Sequence, residues 1–297
     1  MDQPLVSVIT GFYNVERYLQ EAIDSVLQQQ YTNWEFFLVD DGSTDGSTQI
    51  AKENAARHPG KIFYLEHENH VNKGVCASRN LALQHAKGEY VAILDADDVW
   101  QPNKLQQQVE LFATLPDAAM ICQASEYWVT WDEPERSNVV IPVGAPQDRL
   151  YQPGELNLIL YPLTYGAAPC PSAIIFRKES AMDIGGFENE FTGRYQMYED
   201  QAFLSKMYLH HKVYVSSACN NLYRQRYGSL VQWVTSDGKY HQVRKFFLEW
   251  FREYLKQQKI NNRKINRLLK KALWKYEHPT LYKLKSLAGR IKRFVKP

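Results

Sequence analysis

Residues Gly88-Glu89-Tyr90-Val91-Ala92-Ile93-Leu94-Asp95-Ala96-Asp97-Asp98-Val99-Trp100 carry an apolar strand straight into a cluster of carboxylates. A strand interior rejects charge. The cluster therefore belongs at the strand's carboxyl end, in the crevice where open α/β sheets bind ligands. Carboxylates this close repel one another unless a cation offsets them. Oxygen-only donors suit a hard ion, Mg²⁺ or Mn²⁺, often one that also holds a phosphate. The stretch predicts an α/β fold with a metal–nucleotide site.

The chain before it alternates between two periods. Leu5–Thr10, Trp34–Val39 and Lys61–Leu65 are short apolar runs that read as strands, and Tyr90–Leu94 is the fourth. Between them, Asn14 is placed to cap a helix through Gln29, with Tyr18, Ala22 and Val26 inward. Thr44 or Asp45 can cap a second helix through Arg57, and Val75–Ala86 reads as a third. This alternation gives βαβ units and a Rossmann-like, mostly parallel sheet with helices on both faces.

The repeat breaks after Trp100. Pro102 opens a helix through Ala113. Ala118–Ala124, Tyr127–Trp131 and Val139–Ile141 read as strands, Gln147–Pro171 as a loop or lid, and Ser172–Phe176 as extended chain. Glu199–His210 is helical, and Val213–Val215 and Leu222–Arg226 are short extended runs. From Asp237 onward apolar residues recur at helical spacing, beginning with Val243, Phe247 and Phe251.

The net charge of +2 over 297 residues hides an asymmetry. Residues 239–297 hold 18 Lys and Arg but 3 Asp and Glu, whereas residues 1–238 hold 17 and 30. A basic tail on an acidic body calls for an anionic partner. No nucleic-acid module accompanies it, so nucleic acid is excluded and an anionic membrane surface is favoured for 279–297, with Val243–Tyr276 docking on the body. Cys76, Cys122, Cys170 and Cys219 form no CxxC pair, which argues against zinc and a disulfide framework and for a reducing, cytoplasmic setting. Neither a signal peptide nor a membrane-spanning run is expected. The first strand ends in Thr10-Gly11-Phe12-Tyr13-Asn14 without GxGxxG, and no GxxxxGK[ST] occurs, so a dinucleotide-binding dehydrogenase and a P-loop NTPase are excluded.

Taken in order, the motifs resemble the family 2 glycosyltransferases of the GT-A fold over residues 4–230. They are Val6-Ser7-Val8-Ile9-Thr10-Gly11-Phe12-Tyr13-Asn14, Asp40-Asp41-Gly42-Ser43-Thr44-Asp45, Asn72-Lys73-Gly74-Val75-Cys76-Ala77-Ser78-Arg79-Asn80 (similar to NxGxxxARN), Asp95-Ala96-Asp97-Asp98 (similar to DxD), Gly185-Gly186-Phe187 and Glu199-Asp200. Gly11 stands where many members carry Pro, and Ser78 where Ala is usual. The QxxRW motif of processive synthases is absent: Gln232-Trp233 lacks the pattern and Tyr223-Arg224-Gln225-Arg226 stands nearby. This favours transfer of one sugar per encounter.

The resemblance implies an inverting transferase that uses a nucleotide-diphosphate sugar, a UDP-sugar by preference, with Mn²⁺ or Mg²⁺. Its acceptor would be a saccharide or lipid-linked hydroxyl, at the inner face of the membrane. Residues 1–236 would form the catalytic domain, with 1–100 as the nucleotide-sugar half and 101–236 as the acceptor half. Residues 237–297 would be a basic helical extension. Gly11, Phe12, Tyr13, Glu16, Asp40, Asp41, Arg79, Asp95 and Ala96 would border the nucleotide. Asp97 would bind the metal with Asp98 in support, and Arg224 and Arg226 would reach the diphosphate. Trp100, Gly186, Phe187 and Glu199 would meet the acceptor, and Asp200 would be the general base. Blander readings exist: Glu199-Asp200 also suits a helix first turn, and the DDGS segment also suits a capped turn. A sugar-nucleotidyltransferase and a non-catalytic saccharide-binding subunit remain the alternatives.

Overall fold

The computed structural model describes residues 3–282. Its first half is β1 (Val6–Phe12), α1 (Glu16–Leu27), β2 (Trp34–Asp40), α2 (Ser47–Arg57), β3 (Ile62–Glu66), α3 (Val75–His85) and β4 (Tyr90–Ile93). There follow β5 (Val99–Trp100), α4 (Lys104–Thr114), β6 (Met120–Trp128), β7 (Val139–Ile141), β8 (Arg149–Tyr151), β9 (Ile174–Arg177), α5 (Lys178–Asp183), α6 (Glu199–His210) and β10 (Val213–Arg224). The last elements among the described residues are α7 (Leu230–Ser236), α8 (Tyr240–Gln257) and α9 (Arg263–Glu277).

Among the described residues the strands form one sheet in the order β3-β2-β1-β4-β9-β6-β10-β5, with β7 on β6 and β8 on β10. β1 pairs in parallel with β2 and β4, β2 with β3, and β6 with β10. β9 lies antiparallel between β4 and β6. The sheet therefore joins the parallel set β3-β2-β1-β4 to the parallel pair β6-β10 through the reversed strand β9, and β5, β7 and β8 add antiparallel to the second half.

Side chains on a strand alternate between faces, so each inner strand feeds two cores. Val6, Val8, Phe36, Leu38 and Ala92 join one core with Leu19 and Ile23 of α1 and Leu105 and Phe112 of α4. Ile9, Phe37, Val39 and Val91 join the other, with Leu83 of α3, Phe203 of α6, Phe247 of α8 and Leu269 of α9. Burial on both faces explains why these strands read as unbroken apolar runs.

The basic C-terminal segment is part of that second core. Val243, Phe247, Leu248, Phe251 and Leu255 of α8 and Ile265, Leu269 and Leu273 of α9 are buried. Phe191 meets Phe246 and Trp250 edge-on at 5.3 Å, and Tyr198 stacks on Phe247 at 5.2 Å. Each such side chain contributes about 1.5–3 kcal/mol on burial, which outweighs repulsion among solvated charges on the outer faces. The docking expected of Val243–Tyr276 is observed. No helix among the described residues is long and apolar enough to cross a membrane. Most of the segment assigned to membrane contact, residues 283–297, lies outside the described residues.

Several boundaries differ from expectation. Asn14 does not cap α1: its φ of 50° is left-handed, which Asn tolerates, and its Oδ1 accepts from Thr44 N at 2.7 Å. α2 opens at Ser47, where Asp45 accepts from Ser47 N at 3.0 Å and from Glu16 N at 3.1 Å, tying two helix starts together. The runs at 118–131 are one strand, β6. The runs at 213–226 belong to β10, whose register slips between Val215 and Cys219 and again before Leu222. Bulges of this kind interrupt the alternation that marks a strand in sequence.

Candidate functional site

The carboxyl ends of β1, β2 and β4 lie side by side, because the three strands are parallel neighbours. β2 delivers Asp40 and Asp41. Asp40 is wholly buried; it accepts from Ser43 N at 2.8 Å, from Thr48 Oγ1, and from Tyr64 OH at 3.3 Å. It closes its own loop. Asp41 accepts from Lys73 N at 2.7 Å and from Gly74 N at 3.0 Å, so it pins the turn that opens α3. Burial raises the Asp41 carboxyl, and those two N–H donors pull it back. Gly42 has φ +81°, and a Cβ there would stand 2.8 Å from His70 O, so only glycine fits the turn. Glu16 accepts from Gly46 N at 2.6 Å. Phe12 and Ala96 are buried, leaving their backbones at the crevice, while Tyr13 is half exposed.

Arg79 of α3 is the centre of the site. It is 2 % exposed. One guanidinium nitrogen donates to both oxygens of Glu199 at 2.6 Å, and another donates to Asp95 Oδ1 at 2.7 Å. The ring of Phe187 lies 5.5 Å from the guanidinium carbon. A planar fork of donors suits this double duty, which lysine does not match. The bridge fixes the start of α6 against the end of β4.

The neighbouring carboxylates are organised by residues from the second half. Asp98 is buried and accepts from Ser172 Oγ at 2.6 Å and from Arg224 N at 3.0 Å. Burial drives its carboxyl well upward, and Asp97 and Asp95 push the same way. Arg224 donates through Nε to Asp97 O at 2.7 Å and pairs with Glu21. Its guanidinium lies 4.3 Å from the Trp128 ring and 4.8 Å from the Trp131 ring. Asp97 keeps an accessible carboxylate, whose Oδ2 accepts from Arg226 Nε at 2.6 Å. Asp98 is held by internal hydrogen bonds at both oxygens, and Arg224 is a buried brace of the loop.

Asp200 follows Glu199 and faces a cavity of about 470 Å³ with Gln201, Cys170, Tyr161, Tyr223 and Tyr240 also on its walls. Burial pushes the Asp200 carboxyl up to about 6, opposed by hydrogen bonds from Gln201. A second cavity, of about 670 Å³, lies beyond Tyr127 and Tyr223 and is lined by Arg136, Arg226, Tyr227 and Gln232.

The residues expected at the acceptor are inside the protein instead. Trp100 is buried and donates from Nε1 to Ser172 O at 2.9 Å. Phe187 is buried and stacks on Phe203 at 4.3 Å. Gly186, at φ +68°, packs on Asn80. Glu199 is held by Arg79. Sequence reading missed Ser172, whose hydroxyl accepts from Asp95 N at 3.0 Å while donating to Asp98. It also missed the tyrosines of the cavity. They are scattered from Tyr127 to Tyr240, and no local spacing groups them.

Residues 7–185 match the family described as Glycosyl transferase family 2. The uncharacterized glycosyltransferase RP339 of Rickettsia prowazekii is 32% identical over 221 residues, which are 72% of this chain and 64% of that protein. The chain spans less than two thirds of the length of the curated relatives it matches. In fold, S. aureus TarS residues 1–349 in complex with UDP align with a TM-score of 0.61 at 20% identity, over 94% of this chain and 75% of that one. The mannosyltransferase PcManGT of Pyrobaculum calidifontis, in complex with GDP-Man and Mn²⁺, aligns with a TM-score of 0.64 at 17% identity, over 100% of this chain and 77% of that one. The chain belongs to glycosyl transferase family 2.

Proposed function

From membership of glycosyl transferase family 2 we propose that this protein is an inverting glycosyltransferase. It moves one sugar from a nucleoside-diphosphate donor, a UDP-sugar, to a hydroxyl of a saccharide or lipid-linked acceptor. The carrying observation is the placement of Asp200: a carboxylate facing a cavity, next in sequence to Glu199, which Arg79 ties to Asp95. UDP and GDP-Man are held by the two fold neighbours named above, which fits a donor of this class.

In this reading Asp200 removes the acceptor hydroxyl's proton as the oxygen attacks the anomeric carbon. A base lifted toward neutrality by burial suits that task. Displacement assisted by one base, with no enzyme nucleophile, inverts the anomeric centre. The departing nucleoside diphosphate gains negative charge, and Arg226, paired with the Asp97 carboxylate, is a cation that would offset it.

The donor set fits a divalent ion only in part. Among the described residues no group of three His, Cys, Asp or Glu can enclose one, and Asp97 keeps one carboxylate oxygen outside its pair with Arg226. That suits Mn²⁺ or Mg²⁺ held by one carboxylate together with substrate phosphates. When bound, the ion supplies Lewis-acid stabilisation of the leaving phosphate. Residues 1–100 then serve the donor, 101–236 the acceptor, and α8 and α9 brace the acceptor half. A nucleotidyltransferase is less well supported, since Gly11–Asn14 contains no basic residue.

Thermal shift with UDP, GDP and their sugars, with and without Mn²⁺, tests the donor, because a ligand of the native state raises its apparent stability. Stabilisation by a nucleoside diphosphate with metal is expected. No shift with any of them, or full transfer by Asp200→Asn, overturns the reading.

A further inference from the structure

The carboxylates that follow β4 are already met by groups of the protein itself. Asp95 is paired with Arg79, and Asp98 accepts from Ser172 Oγ and from Arg224 N. Asp97 is paired with Arg226, whose Nε donates to Oδ2 at 2.6 Å. The three arginines differ in how firmly they are held. The side chains of Arg79 and Arg224 are 3 % exposed, and each holds groups on two other segments. The side chain of Arg226 is 25 % exposed, and that of Asp97 is 24 % exposed. Among the described residues Asp97 is the one carboxylate paired with Arg226, whose guanidinium otherwise lies 5.5 Å from the Tyr18 ring. The backbone is anchored just before Arg226, where Gln225 N donates to Trp128 O at 3.0 Å. Just after it comes Gly228, at φ +74°, with open space around it. Of the three, Arg226 is the arginine that can change partner without opening the core.

A divalent ion and a guanidinium compete for the same carboxylate. An ion that arrives alone displaces Arg226 and leaves it beside a like charge with no counter-ion, which is unfavourable. A diphosphate that arrives with the ion supplies the counter-ion. The planar fork of donors suits phosphate oxygens as well as it suits a carboxylate. A phosphate that shares an ion with Asp97 also comes within reach of a side chain that already touches Asp97. We propose that Arg226 stands in for the metal at Asp97 and moves to the diphosphate when ion and nucleotide are both bound. Each ligand then removes a cost that the other meets alone, so the two bind cooperatively and by the same factor in either order. The inference rests on the glycosyl-transfer reading above and adds to it how the donor site fills. A fixed brace is the competing arrangement: there Arg226 orients Asp97 for the ion, and losing it weakens the metal.

The test needs no acceptor and no turnover. Mn²⁺ is titrated into the full chain with and without UDP, and electron paramagnetic resonance counts the free ion. Cooperative thermal unfolding without ligands reports that each variant is folded. Arg226→Gln should bind Mn²⁺ alone at least fivefold more tightly than wild type, while the factor by which UDP tightens Mn²⁺ should shrink at least fivefold. The gain in Mn²⁺ binding should vanish in Asp97→Ala/Arg226→Gln, which places the extra ion at Asp97. Equal or weaker binding of Mn²⁺ alone by Arg226→Gln, undetectable binding by both proteins included, overturns the inference. So does a gain that survives in the double variant. Failure of the glycosyl-transfer reading looks different: no nucleoside diphosphate binds wild type with Mn²⁺, while the gain of Arg226→Gln for Mn²⁺ alone is intact.

Discussion

The two sides of the crevice are built on opposite principles. On the proposed donor side, Asp40, Asp41 and Asp98 are buried and held by protein hydrogen bonds. On the acceptor side, tyrosines stand in open cavities, with Tyr165 and Tyr227 almost wholly in solvent. Removing one partner of a buried hydrogen bond costs about 1–3 kcal/mol, while an exposed side chain changes stability by about 0.5 kcal/mol or less. The donor side is therefore expensive to alter and the acceptor side cheap.

The sharpest way to break this contrast is at Asp200, where the two sides meet. Asp200→Asn should lower kcat by about 10²–10⁴-fold and leave UDP affinity by calorimetry unchanged. Next comes Arg79→Ala, which strands the buried Glu199 and the partly buried Asp95. It should cost about 3–5 kcal/mol in urea unfolding, far more than any cavity tyrosine. A pH profile is the third test. Asp200 acts as base only when ionised, and its carboxyl lies near 6, so transfer should fall about tenfold per unit as pH drops below that value. The same raised carboxyl makes the native state favour the protonated form. Asp200→Asn should therefore melt above wild type at alkaline pH, and the gap should close as pH falls through about 6 toward the ordinary 3.8. The smallest effect belongs to Tyr165→Ala. Stability should stay within about 0.5 kcal/mol, while KM for acceptor rises several-fold and KM for donor does not.

How much of this was legible depended on locality. Strands β1, β2 and β4 were readable because each buries both faces and ends in a polar turn, as Trp34–Asp40 does before Gly42. The donor loops were readable because the residues that close them, Asp40 with Ser43 and Asp45 with Ser47, are sequence neighbours. β10 was not, because its bulges erase the alternation. Nor were the roles of Arg224 and Ser172, whose carboxylate partner Asp98 lies 126 and 74 residues away. Trp100 and Phe187 suit either packing or an acceptor contact in sequence, and the structure buries both.

The Arg79 bridge has a consequence for an unfinished molecule. Glu199 is drawn to Arg79 across 120 residues of chain, and Asp200 is carried into place with it. A chain whose second half has not yet docked has strands and loops for a nucleotide but no base positioned over the crevice. The bridge thus acts as an interlock. If Asp200 is the base proposed above, only a completely assembled protein holds it in place over the crevice.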